Sequence, residues 1–140
     1  MGPQEQLARE IATRAHTGQL DRAGHPYIEH PTHVAANVEG DLAKATAWLH
    51  DVVEDTDTTL DDLRAAGICD EVVAAVAMLT HDKRIPYLEY VASLKDNPLA
   101  RAVKLADLRH NSDLSRLPEI TEKDLARAEK YARAIDILEG

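Results

Sequence analysis

The chain has 140 residues, which is the size of about one domain. Its 16 Lys and Arg against 25 Asp and Glu give a formal charge of −9, which argues against a sequence-independent grip on a nucleic-acid backbone but leaves a small anionic ligand open. The longest apolar run, residues 72–79, is far shorter than the roughly 20 residues that a membrane span needs. The N-terminus lacks the apolar stretch of a secretory signal. The single cysteine, Cys69, cannot form an internal disulfide.

These exclusions predict a cytoplasmic protein without membrane or nucleic-acid partners. Phe is absent and aromatic residues make up only 4% of the chain, yet 44% of it is hydrophobic. Ala and Leu carry much of that fraction and favour helix, and valines recur at helical spacing, as in Val34 and Val38. The sequence therefore predicts one all-α domain over residues 1–140 with a core of small side chains.

Gly and Pro divide the chain into helical segments. The first helix is expected over 3–17, ending at Gly18, and an irregular polar loop with two prolines follows it. Further helices are predicted over 31–38, 41–54, 60–66, 70–79, 86–95, 98–117 and 122–138. Asp41 is expected to cap the third helix, and Thr59 with Asp62 to form a capping box.

The stretch from Trp48 to Thr56 is the richest in chemistry. On a continuous helix, at 100° per residue, one arc presents His50, Asp51, Glu54 and Asp55, while the opposite arc is apolar. Three carboxylates this close repel one another unless a cation or solvent relieves them. A divalent ion accepts nitrogen and oxygen ligands together, which favours a metal site. The alternative is a solvated acidic helix end, which the helix dipole disfavours.

A second cluster contains Asp107 and Asn111, which are four residues apart and share a helical face with apolar residues. A carboxylate on such a face is expensive to bury unpaired, so a cation or a partner side chain must meet it. A metal ion and the nearby Lys104 are both open as that partner.

Seven histidines is a high number for this length. His30 lies before Pro31 at the start of a predicted helix, where its ring can project into a cleft. His25 and His33 flank it and could serve as the ligand instead. Three others have no local partner pattern, and we expect a structural or solvent role for them: His16, His81 and His110.

Three motifs occur in register along the chain. The first is Gly24-His-Pro-Tyr-Ile-Glu-His-Pro31, the second is Leu49-His-Asp-Val-Val-Glu-Asp-Thr56, and the third is Val103-Lys-Leu-Ala-Asp107 followed by Asn111. Together they resemble the HD-type hydrolase domain of RelA/SpoT homologues, and especially the stand-alone small alarmone hydrolases. The resemblance covers roughly residues 5–115.

The resemblance implies an all-helical HD domain around one divalent ion, usually manganese. The metal ligands it implies are His30, His50, Asp51 and Asp107. Glu54 and Asp55 correspond to the family's catalytic acid/base element, and Asn111 lies in its nucleotide pocket. The implied reaction removes the 3′-pyrophosphate of (p)ppGpp and gives GDP or GTP and pyrophosphate. The chain has no room for a synthetase domain, so we expect hydrolysis only, without a covalent nucleophile.

The sequence departs from the family's pattern where substrate is contacted. The family usually has two basic residues before the loop glycine, and this chain has Asp21 and Arg22. A His stands at position 25, where a Glu is common, and Leu108-Arg109 is the reverse of the family's order. Arg22 is the only basic residue between Gly18 and Lys44, which predicts that it contacts the base or a phosphate of the substrate.

Two other functions stay open at the level of the sequence. One is an HD-type phosphohydrolase acting on another nucleotide, such as a nucleoside monophosphate or NADPH, which the loss of one basic loop residue favours. The other is a non-catalytic protein that binds a nucleotide or a partner. The presence of Glu54 and Asp55 argues against mere binding, because extra repelling carboxylates beside a metal would bring a binder nothing.

Overall fold

The computed structural model describes residues 1–140, apart from the side chain of residue 116. Its elements are α1 Pro3–Ala15, α2 Glu29–Ala36, α3 Asp41–Leu49, α4 Val52–Asp55, α5 Leu60–Ala66, α6 Asp70–Leu79, α7 Tyr87–Ser93, α8 Pro98–Asn111, a 3₁₀ turn Leu114–Arg116 and α9 Glu122–Glu139. Over these described residues the only strand-like feature is an isolated bridge between Leu20 and Pro26. The predicted all-α class is confirmed.

The largest departure from the predicted elements lies at His50 and Asp51. The expected helix over 41–54 is broken there into α3 and α4. In a continuous helix the carbonyl of Ala47 would accept from the amide of Asp51. Here it lies 2.6 Å from Nδ1 of the His50 ring and also accepts from the His50 amide at 3.5 Å. The arc computed for one continuous helix is therefore wrong, and the His-Asp pair occupies a turn.

The last long helix before the C-terminal one is also shorter than predicted. The segment 98–117 ends as α8 at Asn111 and continues through a 3₁₀ turn. Asn97 caps the start of α8 by accepting from the amides of Leu99 and Ala100 at 3.0 and 3.1 Å.

None of the helices over the described residues has the length and apolar character that a membrane span requires.

Helix caps follow the sequence at one position and differ at another. Thr59 and Asp62 form the predicted capping box at the start of α5. The prediction that Asp41 caps α3 is wrong, because Gly40 is the N-cap residue. The Asp41 carboxylate instead caps α1, where it accepts from the amides of Gln4 and Glu5 at 3.1 and 2.8 Å. A side chain of α3 thus satisfies donors at the end of α1.

The core between α1 and α3 is made largely of alanine. The fully buried alanines Ala8 and Ala12 come from α1, and the fully buried Ala45 of α3 lies on the same helical face as Asp41 and Trp48, which contact α1. Small side chains let helix axes approach closely. The indole of Trp48 is nearly covered and donates its Nε1–H to the buried carboxylate of Glu5 at 3.1 Å. This close packing holds α3 in place, so that its C-terminal end at His50 meets α2 and α8.

Candidate metal centre and active site

Four side chains from three parts of the fold meet at one point. His30 comes from the first turn of α2, His50 and Asp51 from the break after α3, and Asp107 from α8. One nitrogen or carboxylate oxygen from each residue lies within 4.8 Å of all the others. His30 and His50 are almost completely buried, as is Asp107. The structure thus brings together the four residues that the sequence predicts as ligands, including two that are 77 positions apart.

The separations within this cluster suit a small divalent ion. The Nε2 atom of His30 lies 2.7 Å from Oδ1 of Asp107 and 4.0 Å from Oδ2 of Asp51. The Nε2 atom of His50 lies 3.4 Å from Oδ1 of Asp107 and 3.1 Å from Oδ2 of Asp51. Ligand atoms about 2.1 Å from an octahedral ion lie about 3.0 Å apart at right angles and about 4.2 Å apart across it. The observed distances fall close to these values.

The His50 ring supplies the clearest sign that a cation fits. Its Nδ1 lies against the Ala47 carbonyl, so its Nε2 faces the carboxylates. Among the described side chains, Nε2 of His50 is one of two buried polar atoms without a hydrogen-bond partner, the other being Nε2 of His16. A buried nitrogen that points between two carboxylates and satisfies neither by hydrogen bonding is placed as a metal ligand would be.

Neighbouring charges shift the pKa values of the buried groups in this cluster. Burial lowers the pKa of His50, but the carboxylates of Asp51 and Asp107 outweigh it and raise that pKa well above its usual value. Burial opposes ionisation of Asp51, yet His50 holds the Asp51 pKa at about 2. Lys104 likewise holds the pKa of Asp107 well below its usual range, against the effect of burial. The imidazole of His50 and the ammonium of Lys104 thus favour the ionised form of the two carboxylates, which is the form that binds a divalent cation.

Side chains around the cluster fix the two carboxylates. Tyr27 donates its hydroxyl hydrogen to Oδ2 of Asp51. Lys104 donates to Oδ2 of Asp107 at 3.0 Å, and Asn111 donates to Oδ1 of the same residue at 3.0 Å. Of the partners that the sequence left open for Asp107, Lys104 is thus present, together with the imidazole of His30. Asn111 orients a proposed ligand as well as facing the cavity.

The alternatives for the first histidine ligand are resolved by position. His25 is exposed in the loop, and the exposed His33 stacks on His110 with ring centroids 3.9 Å apart. Neither belongs to the four-residue cluster. The prediction that His110 has only a structural or solvent role overlooked its nearest partner, since its Nδ1 lies 2.7 Å from Nδ1 of His30.

Three of the four predicted ligands, His30, Asp51 and Asp107, border a cavity of about 460 Å³, which falls within the usual range for a small-molecule site. Arg22, Glu54, Asp55 and Asn111 also line it, as the sequence predicts. The lining residues outside the predicted site include Lys83, Lys104, Arg127 and Tyr131. Only Lys104 belongs to a recognisable motif. The others reach the cavity through the α6–α7 loop and α9, which no local pattern signals.

Glu54 is held by the loop that follows α6. Its Oε1 accepts from the amide of His81 at 2.8 Å, and its Oε2 accepts from Nζ of Lys83 at 3.3 Å. Asp55 differs, because partial burial raises its pKa and the negative charges of Asp51 and Glu54 raise it further. The two neighbouring carboxylates thus have different surroundings.

Known proteins match the chain across this site. The chain is 38% identical over 123 residues to the human guanosine-3′,5′-bis(diphosphate) 3′-pyrophosphohydrolase MESH1, which covers 78% of this chain and 68% of the human protein. The mouse protein of the same name is 33% identical over 95% of this chain and 82% of its own. The chain belongs to this family. The resemblance that the three motifs carry is thereby confirmed.

Structure supports the same family. A solved structure described as a metazoan ortholog of SpoT that hydrolyses ppGpp aligns with a TM-score of 0.77 and 26% identity, over all of this chain and 88% of that one. A GTP pyrophosphokinase of Streptomyces coelicolor is 35% identical over 77% of this chain, but the match spans only 14% of that protein. No protein-family model matches the chain.

Proposed function

We propose that the chain hydrolyses the 3′-pyrophosphate of ppGpp and pppGpp, giving GDP or GTP and pyrophosphate, with one bound manganese ion. The observation that carries the proposal is the meeting of four nitrogen and oxygen donors beside a cavity that Glu54 and Asp55 also line. Membership of the pyrophosphohydrolase family supports the choice of substrate, because the relatives are named for this reaction.

The metal would be held by His30, His50, Asp51 and Asp107. Two imidazoles and two carboxylates suit several divalent transition metals, and manganese is the one that the motifs imply. When bound, such an ion lowers the pKa of a water molecule and screens the anionic phosphates. Screening matters here, because seven acidic and four basic side chains line the cavity among the described residues, and this surplus of negative charge would repel a substrate with two pyrophosphate groups.

Glu54 is the proposed general base. In the reaction the oxygen of a water bonds to the phosphorus attached to O3′, the P–O3′ bond breaks, and O3′ leaves with a proton. Glu54 takes the proton of the attacking water, and the His81 amide and Lys83 hold its carboxylate in place for this step. Because Lys83 is largely exposed, it can also turn toward a substrate phosphate.

Asp55 is the proposed partner in proton transfer. A carboxylic acid with a raised pKa stays protonated at a higher pH than an ordinary one, which suits a group that gives a proton to the leaving O3′. Since Glu54 and Asp55 are adjacent, the negative charge of Glu54 itself contributes to the raised Asp55 pKa. The pair would therefore act together, with one taking a proton and the other returning it.

Basic and aromatic side chains on two walls would bind the nucleotide. Arg22, on the loop before α2, can stack on the base or donate paired hydrogen bonds to a phosphate. Arg127 and Tyr131 lie one turn apart on α9 and face the same cavity. Asn111 lies between these groups and the proposed metal ligands, where it can contact the ribose or a phosphate.

One observation favours a second candidate, hydrolysis of another nucleotide such as a nucleoside monophosphate or NADPH. Asp21 stands where the family usually has a basic residue. Its Oδ1 accepts from the amides of Ala23 and His25, both at 2.9 Å, so it shapes the loop instead of adding a positive charge. This wall of the cavity therefore has one positive side chain fewer with which to bind phosphate. A substrate with fewer phosphates depends less on such a side chain.

A panel of nucleotides tests the proposal. Purified protein is loaded with Mn²⁺ and incubated with ppGpp, pppGpp, NADPH and nucleoside monophosphates, and the products are identified by ion-exchange chromatography and mass spectrometry. We expect GDP and pyrophosphate from ppGpp, at a kcat/KM above that for the other compounds, and loss of turnover in Glu54→Gln. Faster release of phosphate from NADPH or a monophosphate would favour the second candidate. If none of the compounds is hydrolysed, the proposal is refuted and the non-catalytic binding protein is the function that remains.

A further inference from the structure

His110 contacts the proposed ligand His30 on the side of the ring away from the metal cluster. The Nδ1 atoms of the two rings are 2.7 Å apart, and the ring planes are nearly parallel at 13° with centroids 4.9 Å apart. On its other side, the His30 ring places Nε2 at 2.7 Å from Oδ1 of Asp107. Because Asp107 and His110 both belong to α8, this one helix contacts both nitrogens of the His30 ring.

The proton positions in this pair follow from coordination chemistry. A neutral imidazole that binds a cation through Nε2 carries its hydrogen on Nδ1. In His30 that hydrogen points at Nδ1 of His110, which must therefore present a lone pair and carry its own hydrogen on Nε2. When Nε2 of His30 binds a cation, the two rings therefore have complementary tautomers, and the hydrogen bond between them then exists only in that combination.

His110 is itself held by its surroundings. His33, one turn after His30 on α2, stacks on a face of the His110 ring with centroids 3.9 Å apart and planes 18° apart. His30 instead meets the edge of the His110 ring, nearly coplanar with it, through the two Nδ1 atoms. Both contacts join α2 to α8. Such packing limits rotation of the His110 ring, so that its lone pair stays directed at His30.

We propose that His110 is a positioning residue for the metal site. It fixes the tautomer and the orientation of the His30 ring, and it thereby raises the affinity of the four-residue cluster for a divalent cation. The inference rests on the metal site of the proposed function and adds a residue outside that ligand set. Outer partners of ligating histidines contribute about 10–100-fold to metal affinity in proteins, which sets the size of the effect.

Manganese affinity measured by competition with a fluorescent chelator tests this role in four proteins: the wild type, His110→Ala, His110→Asn and His25→Ala. We expect His110→Ala to weaken Mn²⁺ binding about 10–100-fold. The amide oxygen of His110→Asn can accept from His30 Nδ1–H at nearly the position of the lost nitrogen, so this variant should recover most of the affinity. His25→Ala removes an exposed imidazole elsewhere and should bind like the wild type.

The results separate this role from folding and from the proposed function. The melting temperature of each metal-free variant reports on structure, and a merely structural His110 would give no recovery with Asn. Equal affinity of His110→Ala and wild type would refute the inference alone. Failure of the wild type to bind Mn²⁺ would refute both it and the proposed metal site.

The wild type also allows a direct measurement. With Zn²⁺ as a diamagnetic ion, we expect a ¹⁵N–¹⁵N coupling across the hydrogen bond between His30 and His110. A hydrogen on Nδ1 of His110, or the absence of this coupling in metal-loaded protein, would contradict the proposed tautomers.

Discussion

Removal of the metal should lower the thermal stability of the protein by a predictable amount. Its proposed ligands come from α2, from the break after α3 and from α8, so only the folded chain brings them within 4.8 Å of one another. A ligand that binds only the folded state at 100 times its Kd stabilises it by about 2.7 kcal/mol. With about 2.1 cal/mol/K of unfolding entropy per residue, the 140 residues correspond to about 0.3 kcal/mol/K, and the melting temperature should rise by about 9 °C.

Differential scanning calorimetry in chelator and in excess Mn²⁺ measures this shift. In Asp107→Asn we expect the shift to disappear, because a ligand is lost. That variant also leaves the buried Lys104 ammonium without its carboxylate, which lowers its baseline stability, so the quantity to compare is the metal-dependent shift. Asp61→Asn, which changes a fully exposed carboxylate on α5, should keep the whole shift. A wild-type melting temperature that is equal in chelator and in Mn²⁺ would refute the shared site.

Three further variants test the catalytic and substrate groups. Arg22→Ala should raise KM by a factor that corresponds to roughly 1–3 kcal/mol, the range for a charged hydrogen bond, with metal content unchanged in elemental analysis. Glu54→Gln should keep the metal but lower kcat by about 10²-fold or more in a steady-state assay, because the general base is lost. Asp55→Asn should lower kcat yet raise the melting temperature of the metal-free protein at neutral pH, since the fold raises the pKa of Asp55 and so favours its uncharged form.

The sign of the last effect fixes its pH dependence. A carboxyl whose folded pKa is raised contributes stability below its unfolded pKa of about 3.9 and loses it as the pH rises through the folded value. The gain from Asp55→Asn should therefore shrink as the pH falls toward about 4. A gain that is constant with pH would contradict the assignment, as wild-type kinetics would for Arg22→Ala or Glu54→Gln.

Residues inside local motifs were predictable from the sequence, because the residue types that indicate their roles occur at neighbouring positions. The spacing of His50 and Asp51, and of Asp107 and Asn111, made them candidates, and the resemblance of the motifs to a known family assigned His50, Asp51 and Asp107 as ligands. The helical class follows from the residue types in the same way. What periodicity misjudged is the break at His50, because a side chain that bonds the backbone three residues earlier leaves the spacing of apolar residues unchanged.

Residues that act through tertiary contact were not predictable. Lys83 reaches Glu54 across 29 positions, and His110 reaches His30 across 80. These separations lie far outside helical spacing, which is the relation that periodicity in a single sequence displays. For the same reason Asp41 was assigned to its own helix, although its carboxylate caps the neighbouring α1.

The alanine-lined contact between α1 and α3 makes the tolerance of this chain to mutation uneven. At Ala8 or Ala45 a larger side chain would force the helices apart, at a typical cost of about 1–3 kcal/mol, whereas glycine costs about 1 kcal/mol. A saturation library selected for folding should therefore keep Gly and Ser there and lose Leu and Phe. Substitutions at these buried positions should therefore be limited to the smallest residues, while the exposed loop around Arg22 should accept larger changes without loss of the fold.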